Sequence, residues 1–161
     1  MAKQRAHLHS PQTKIFTDLS ELKLARINFE TMLVFTNGCF DLLHRGHIDT
    51  LFASAKLGDQ LVVGLNSDAS IRRLKGPDRP IQTWMDRAMI LASLYYVDII
   101  VGFDEDTPIE LIKHLRPQVI TKGGDYKIED MIGADVVNSY GGRIEVLPYR
   151  DGHSTTAILQ R

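Results

Sequence analysis

The chain has a single cysteine, Cys39, in 161 residues. That excludes an internal disulfide and any cysteine-based zinc cluster. No apolar run approaches the roughly 18 residues that a membrane-spanning helix requires. The opening "MAKQRAHLHSPQTK" lacks the apolar centre of a secretory signal, so the cytoplasm is the expected setting. Charge of one sign is lacking too: Lys and Arg total 19 against 20 Asp and Glu, a net charge of −1. Nothing in that balance draws the chain to nucleic acid or membrane, so any basic site must be local. Two phosphate-binding motifs are missing: no G-x-G-x-x-G follows a predicted strand, and there is no G-x-x-x-x-G-K-[ST]. Repeats, low-complexity tracts and internal linkers are absent. With 43% hydrophobic and 24% charged residues, the composition is that of one globular domain.

What is present is alternation. Residues 1–14 read as a loose polar arm, and 15–161 as the domain. "TDLSELKLARINFE" (Thr17 to Glu30) sets Leu19, Leu22, Leu24 and Ile27 at near-helical spacing, with Thr17 or Asp18 able to cap. Short apolar runs then recur as predicted strands: "MLVFT" from Met32, "QLVVGLN" from Gln60, "VDIIVGF" from Val97, "QVITKGG" from Gln118 and "GGRIEVLPY" from Gly141. Between them lie predicted helices over 47–58, closed by Gly58 as a C-cap, over 83–96, and over 107–117 with Pro108 at its first position. A weaker helix is predicted over 127–140, and a short one with a hydroxyl cap over 154–161. Strands of five to seven residues alternating with helices predict βαβ units. The expected fold is α/β: one Rossmann-like, open, parallel five-stranded sheet with helices on both faces.

In such a sheet ligands bind beyond the carboxyl ends of the strands, near the point where strand order reverses. Polar, glycine-containing clusters stand at those ends. Thr36 closes the first strand, with Asn37, Gly38, Phe40, Asp41, His44 and His47 after it. Asn66, Ser67 and Asp68 follow the second, "TKGGDY" the fourth and "RDGHSTT" the fifth. His44 and His47 share a face on a helix's first turn, and Gly46 between them lets a ligand approach the backbone. Unpaired N–H groups at that helix end favour a phosphate. A zinc site would want further ligands, for which Asp41 or Asp125 are the nearby carboxylates. The third possibility is that one histidine caps the helix and the other packs.

"FDLLHRGH" resembles the H-x-G-H signature of the nucleotidyltransferase superfamily, and "HSTTAIL" resembles its second signature, a Ser/Thr-rich helix start. The intervening "VGLNSDASIRRLKGPDRPI", "FDEDTP" and "TKGGDY" resemble the adenylyltransferase domains that make ADP-heptose for lipopolysaccharide from ATP and D-glycero-β-D-manno-heptose 1-phosphate. Glycerol-3-phosphate cytidylyltransferases share "FDLLH-x-GH" and "STT", but their pattern lacks the rest of that combination. A cytidylyltransferase acting on such an alcohol phosphate is the alternative, and a nucleotide-binding regulatory module without turnover is a third. The heptose domain is often fused behind a sugar kinase. None precedes it here, so a separate kinase is expected, and a homodimer is the default assembly.

The resemblance implies roles. His44, His47 and Lys75 would be catalytic, donating to the triphosphate and to oxygens that gain charge in the transition state. Thr36, Asn37, Gly38, Phe40, Gly46, Arg87, Gly123, Gly124, Asp125, Ser154, Thr155 and Thr156 would bind nucleotide. Asn66, Asp68 and Arg79 would hold the sugar phosphate, and Mg²⁺ would bridge ATP phosphates with no protein ligand required. Of the basic run "IRRLKGPDRP", read as a lid loop, Lys75 and Arg79 match the family pattern. Arg72 and Arg73 are expected to face solvent. Arg87 reads equally well as a surface helix residue, Asp68 as a helix cap and Asp41 as a local helix-start residue. Leu159 stands where several superfamily members carry an arginine, with Arg161 two residues on. His153 is not carried over, and Cys39 reads as a small buried side chain.

Overall fold

The computed structural model describes residues 10–22, 27, 30–124, 131–148, 155 and 158. Its strands are β1 (Ile15–Phe16), β2 (Leu33–Gly38), β3 (Gln60–Asn66), β4 (Ile99–Phe103), β5 (Val119–Gly123) and β6 (Arg143–Leu147). Its helices are α1 (Arg45–Ala55), α2 (Asp68–Lys75), α3 (Trp84–Ala92), α4 (Ile109–Leu115) and α5 (Ala134–Ser139). The sheet runs β1-β4-β3-β2-β5-β6 and every recorded pairing is parallel. It therefore has six strands, not the expected five. The additional strand, β1, is two residues long, too short to carry a period. It exists through its register with Ile100 and Val101 on β4.

Both faces of the sheet are covered, as parallel sheets require. Side chains alternate between two cores along each strand. Leu33 and Phe35 enter one core with Leu111, Ile112 and Leu115 of α4 and Val137 of α5. Val34 enters the other with Leu51 of α1 and Ala88, Leu91 and Ala92 of α3. Among the described residues no helix is long and apolar enough to cross a membrane.

Several boundaries differ from the sequence reading. α1 begins at Arg45 with His44 as its N-cap, and it closes on Lys56 rather than Gly58. Pro108 is the N-cap of α4, not its first residue. The first part of the basic run is helix α2, not loop, and Arg72, Arg73 and Lys75 occupy its last turn, where they complement the helix dipole. Its N-cap is Ser67, which accepts from the N–H of Ser70, so Asp68 is not the cap. Residues 17–22 are turns in which the Asp18 carboxylate accepts from the N–H groups of Ser20 and Glu21. Of the arm, Pro11–Lys14 form a 3-10 turn. The Lys14 ammonium donates to the carbonyls of Leu94 and Val97.

Gly58 serves close approach instead. The Met32 carbonyl accepts from the N–H groups of Asp59 and Gln60, pinning the α1–β3 turn against the start of β2. A Cβ on Gly58 would lie 2.5 Å from that carbonyl oxygen and 2.6 Å from Cγ2 of Val34. Gly58→Ala is therefore expected to destabilise the domain by about 1–3 kcal/mol, read as a lower urea midpoint at unchanged slope. An unchanged midpoint would mean that the turn relaxes freely.

Candidate active site

Strand order reverses at β2: the chain moves from β2 to β3 on one side, and later to β5 on the other. The β2–β3 ladder runs over six residue pairs, but the β2–β5 ladder stops after Phe35 and Ile120. Beyond that point the strand ends part, and a cleft of about 380 Å³ opens between them. Two hydroxyl contacts hold its base. The Thr36 hydroxyl donates to the Thr121 carbonyl at 3.1 Å, and the hydroxyls of Ser54 and Thr121 meet at 2.7 Å. Thr36, Asn37, Gly38, Phe40, Asp41, His44, Gly46, His47, Lys75, Gly123 and Thr155 all line this cleft. Sequence positions more than a hundred residues apart thus meet at one edge.

The histidines stand side by side at the start of α1. Their rings stack with centroids 3.7 Å apart, and Phe40 packs edge-on to His47 at 5.1 Å. Phe40 takes a left-handed backbone, φ 43°, to turn the chain from β2 into the helix. Burial, then the neighbouring His44 and Lys75, push the His47 pKa from 6.5 down to about 4, while the Leu42 carbonyl pulls it back up. His47 is therefore neutral at pH 7. Its Nδ1 is buried and makes no hydrogen bond among the described residues. Such an atom is poised to bond a ligand.

Lys122 is the residue that sequence reasoning passed over. In sequence it is one residue of "TKGGDY", but in the fold it lines the cleft opposite α1, and its ammonium donates to Oδ1 of Asn37 at 3.4 Å. Burial holds its pKa below the ordinary lysine value, with Cys39 acting in the opposite sense. A lysine at the carboxyl end of a strand next to the switch point was the available signal. Lys75 and Lys122, with Asn37, Gly38 and Cys39, also wall a second cavity of about 440 Å³. Asn66 and Asp106 are polar positions on it, while Leu74, Pro108, Ile112, Ile120, Met131 and Ile132 make it apolar.

The Asn66 amide donates to the Ser70 hydroxyl at 3.0 Å. Arg87 is not a surface residue: its side chain is 0% exposed. Its guanidinium donates to the carbonyls of Gln82, Cys39 and Asn66 and to the Asp68 carboxylate. It braces three loops around the cleft from behind. Arg79 lies 2.6 Å from Asp41, which is 1% exposed and so is not a solvated helix-start residue. Arg73 pairs with Asp104 and Asp106, docking α2 onto the β4–α4 loop. These contacts are solvent-exposed and add little stability. Gly124 turns the chain with φ 127°. Asp125, Ser154 and Thr156 lie outside the described residues, as do His153, Leu159 and Arg161.

Residues 35–161 match the cytidylyltransferase-like family. The chain is 60% identical over 129 residues to the bifunctional protein HldE of Syntrophotalea carbinolica, covering 80% of this chain and 26% of that protein. It is 52% identical over 143 residues to the bifunctional protein HldE of Trichlorobacter lovleyi, covering 89% and 29%. The chain thus spans between a quarter and a third of the length of these relatives. Among solved structures it resembles the lipopolysaccharide core biosynthesis protein from Thermoplasma volcanium, with TM-score 0.59 and 30% identity over 74% of this chain and 97% of that one. Pantoate-beta-alanine ligase from Francisella tularensis, at TM-score 0.60 and 14% identity over 88% and 68%, shares the fold.

Proposed function

The chain belongs to the cytidylyltransferase-like family, and from that premise we propose that it transfers AMP from ATP to D-glycero-β-D-manno-heptose 1-phosphate in the cytoplasm. The products are ADP-heptose, destined for lipopolysaccharide core, and pyrophosphate. The observation that carries this reading is the cleft at the switch point, where two stacked histidines on a helix N-terminus face lysines from two other elements. Its similarity to HldE proteins and to a lipopolysaccharide core biosynthesis protein supports the choice of acceptor.

In this reaction a phosphate oxygen of the sugar attacks the α-phosphorus of ATP. The new O–P bond forms as the bond from the α-phosphorus to the bridging oxygen breaks, and pyrophosphate departs with the electron pair. The acceptor is already ionised, so no protein base is needed; alignment and charge neutralisation are the enzyme's tasks. His44 and His47 donate to phosphate oxygens in front of the α1 N-terminus, where Gly46 leaves the backbone open. Gly38 and Phe40 let the nucleoside lie close to β2. Thr155 offers its hydroxyl to the leaving phosphates and Gly123 and Gly124 flank the nucleoside; Ser154, Thr156 and Asp125 are assigned to nucleotide binding by the family pattern alone. The sugar is placed in the second cavity beside Asn66, so that its phosphate meets Lys75 and Lys122 at the shared wall.

Mg²⁺ would neutralise triphosphate charge when bound. The described cleft wall is rich in nitrogen donors, and its Asp41 carboxylate is already engaged by two N–H groups and Arg79. That chemistry fits an ion carried on phosphate oxygens and water. A phosphorylating reaction must supply the sugar 1-phosphate.

The test is pyrophosphate release with ATP or CTP against heptose 1-phosphate or glycerol 3-phosphate. Turnover confined to ATP with heptose 1-phosphate is expected. Turnover with CTP and glycerol 3-phosphate would replace the substrate assignment by the alternative one.

A further inference from the structure

Asn37, Gly38, Cys39, Lys75 and Lys122 wall both cavities, so the two lysines stand where the cavities meet. Asp106 lines the second cavity only, and among the described residues it is the one carboxylate there. A carboxylate repels a phosphate but accepts hydrogen bonds from hydroxyl groups. The second cavity is thus polarised. Its cations lie on the wall shared with the cleft, its carboxylate lies off that wall, and Ile112, Ile120 and Met131 supply apolar surface.

Asp106 is held in place from α2. Ser67, Ser70 and Arg73 recur at every third position along one side of that helix and its cap. They fasten the β4–α4 loop residue by residue. The Ser67 N–H donates to the Phe103 carbonyl at 2.9 Å, and the Ser67 hydroxyl donates to the Asp104 carboxylate. The Ser70 hydroxyl donates to the Glu105 carbonyl at 3.4 Å. Arg73 donates through its terminal nitrogens to Asp104, and through Nε to Oδ1 of Asp106 at 3.0 Å. The charged contacts are exposed and contribute little stability; what they fix is position. Oδ2 of Asp106 has no protein partner among the described residues, and the side chain is 67% exposed. Arg73 is followed directly by Leu74 and Lys75, which both line the same cavity.

We propose that Asp106 is a specificity-determining residue whose carboxylate accepts from hydroxyl groups of the acceptor's sugar, while the acceptor's phosphate meets Lys75 and Lys122. This rests on the phosphate-transfer reading above and adds the group that distinguishes a hydroxyl-rich acceptor from a bare phosphate.

The test compares the wild type with Asp106→Ala and Asp104→Ala. Asp104 belongs to the same loop and the same clamp but does not line the cavity, so it controls for lost charge and altered loop geometry. In Asp106→Ala the Michaelis constant for heptose 1-phosphate is expected to rise about ten- to hundredfold, the loss of a hydrogen bond to a charged group. That for ATP should change less than about twofold, and Asp104→Ala should move either constant less than about threefold. If both constants rise together in Asp106→Ala, or if Asp104→Ala matches it, the loop is only a scaffold and the proposal is overturned. Wild-type turnover decides the substrate reading separately. If the wild type is silent with heptose 1-phosphate, calorimetry compares the binding of mannose 1-phosphate and inorganic phosphate. Weaker binding of the sugar phosphate in Asp106→Ala, with phosphate binding unchanged, supports the hydroxyl contact. Equal losses, or none, overturn it.

Discussion

His47→Ala is expected to lower the rate of pyrophosphate release by about a hundred- to thousandfold, the usual effect of removing a donor aimed at developing charge. The domain should still fold, because His47 is only partly buried in the first turn of α1 and alanine is a good helix former. The direction of the pKa shift adds a second readout. Burial and its neighbours hold His47 at about 4 in the ligand-free protein, against 6.5 for the unperturbed group. Between those values the unfolded chain binds more protons than the folded one, so ligand-free stability rises with pH across that window. A triphosphate seated on the ring reverses the bias and raises the pKa. Nucleotide binding at pH 6.5 should therefore take up protons, visible in calorimetry as a heat that depends on the buffer's ionisation enthalpy. His47→Ala should diminish that dependence. Activity within tenfold of wild type would show that the stacked pair is not the phosphate cradle.

Lys122→Met is expected to cost a similar factor, about a hundred- to thousandfold in kcat/KM, with the opposite effect on stability. The ammonium sits where burial disfavours its charge, so its pKa lies below 10.5. For a lysine lowered in this way, the folded state is penalised at all pH values below its folded pKa, and the penalty fades as pH rises toward the unfolded value. Methionine fills much of the same space without the charge, so the thermal midpoint at pH 7 should hold or rise. Loss of activity with a gain in stability is the signature of a buried cation kept for its ligand. A joint loss of activity and stability would instead make Lys122 a structural link between β5 and Asn37.

The contrast between His47 and Lys122 marks where sequence reading succeeds. The His44–His47 pair was legible because three residues on a helix start place two rings on one face, a relation set by local geometry. The alternation of apolar runs was legible for the same reason, and it located β2 to β6. β1 was not legible, because two residues hold no period and only the edge of β4 makes them a strand. Lys122 gained meaning from strand order: β5 lies beside β2, which puts this lysine across from α1. Asp41 looked like a helix-start residue until its partners, 38 to 41 positions later, were in place. Arg87 reads from sequence as a nucleotide contact or a surface helix residue, and only the fold shows four acceptors from three loops closed around it. By itself the sequence determined the periods, the helix start bearing the histidines and the polar clusters at the strand ends, since these depend on neighbours within a turn or a pleat. Tertiary structure alone decided which clusters share a cleft and which buried charges are spent inside the protein. Those outcomes depend on contacts between distant segments, which local spacing does not encode.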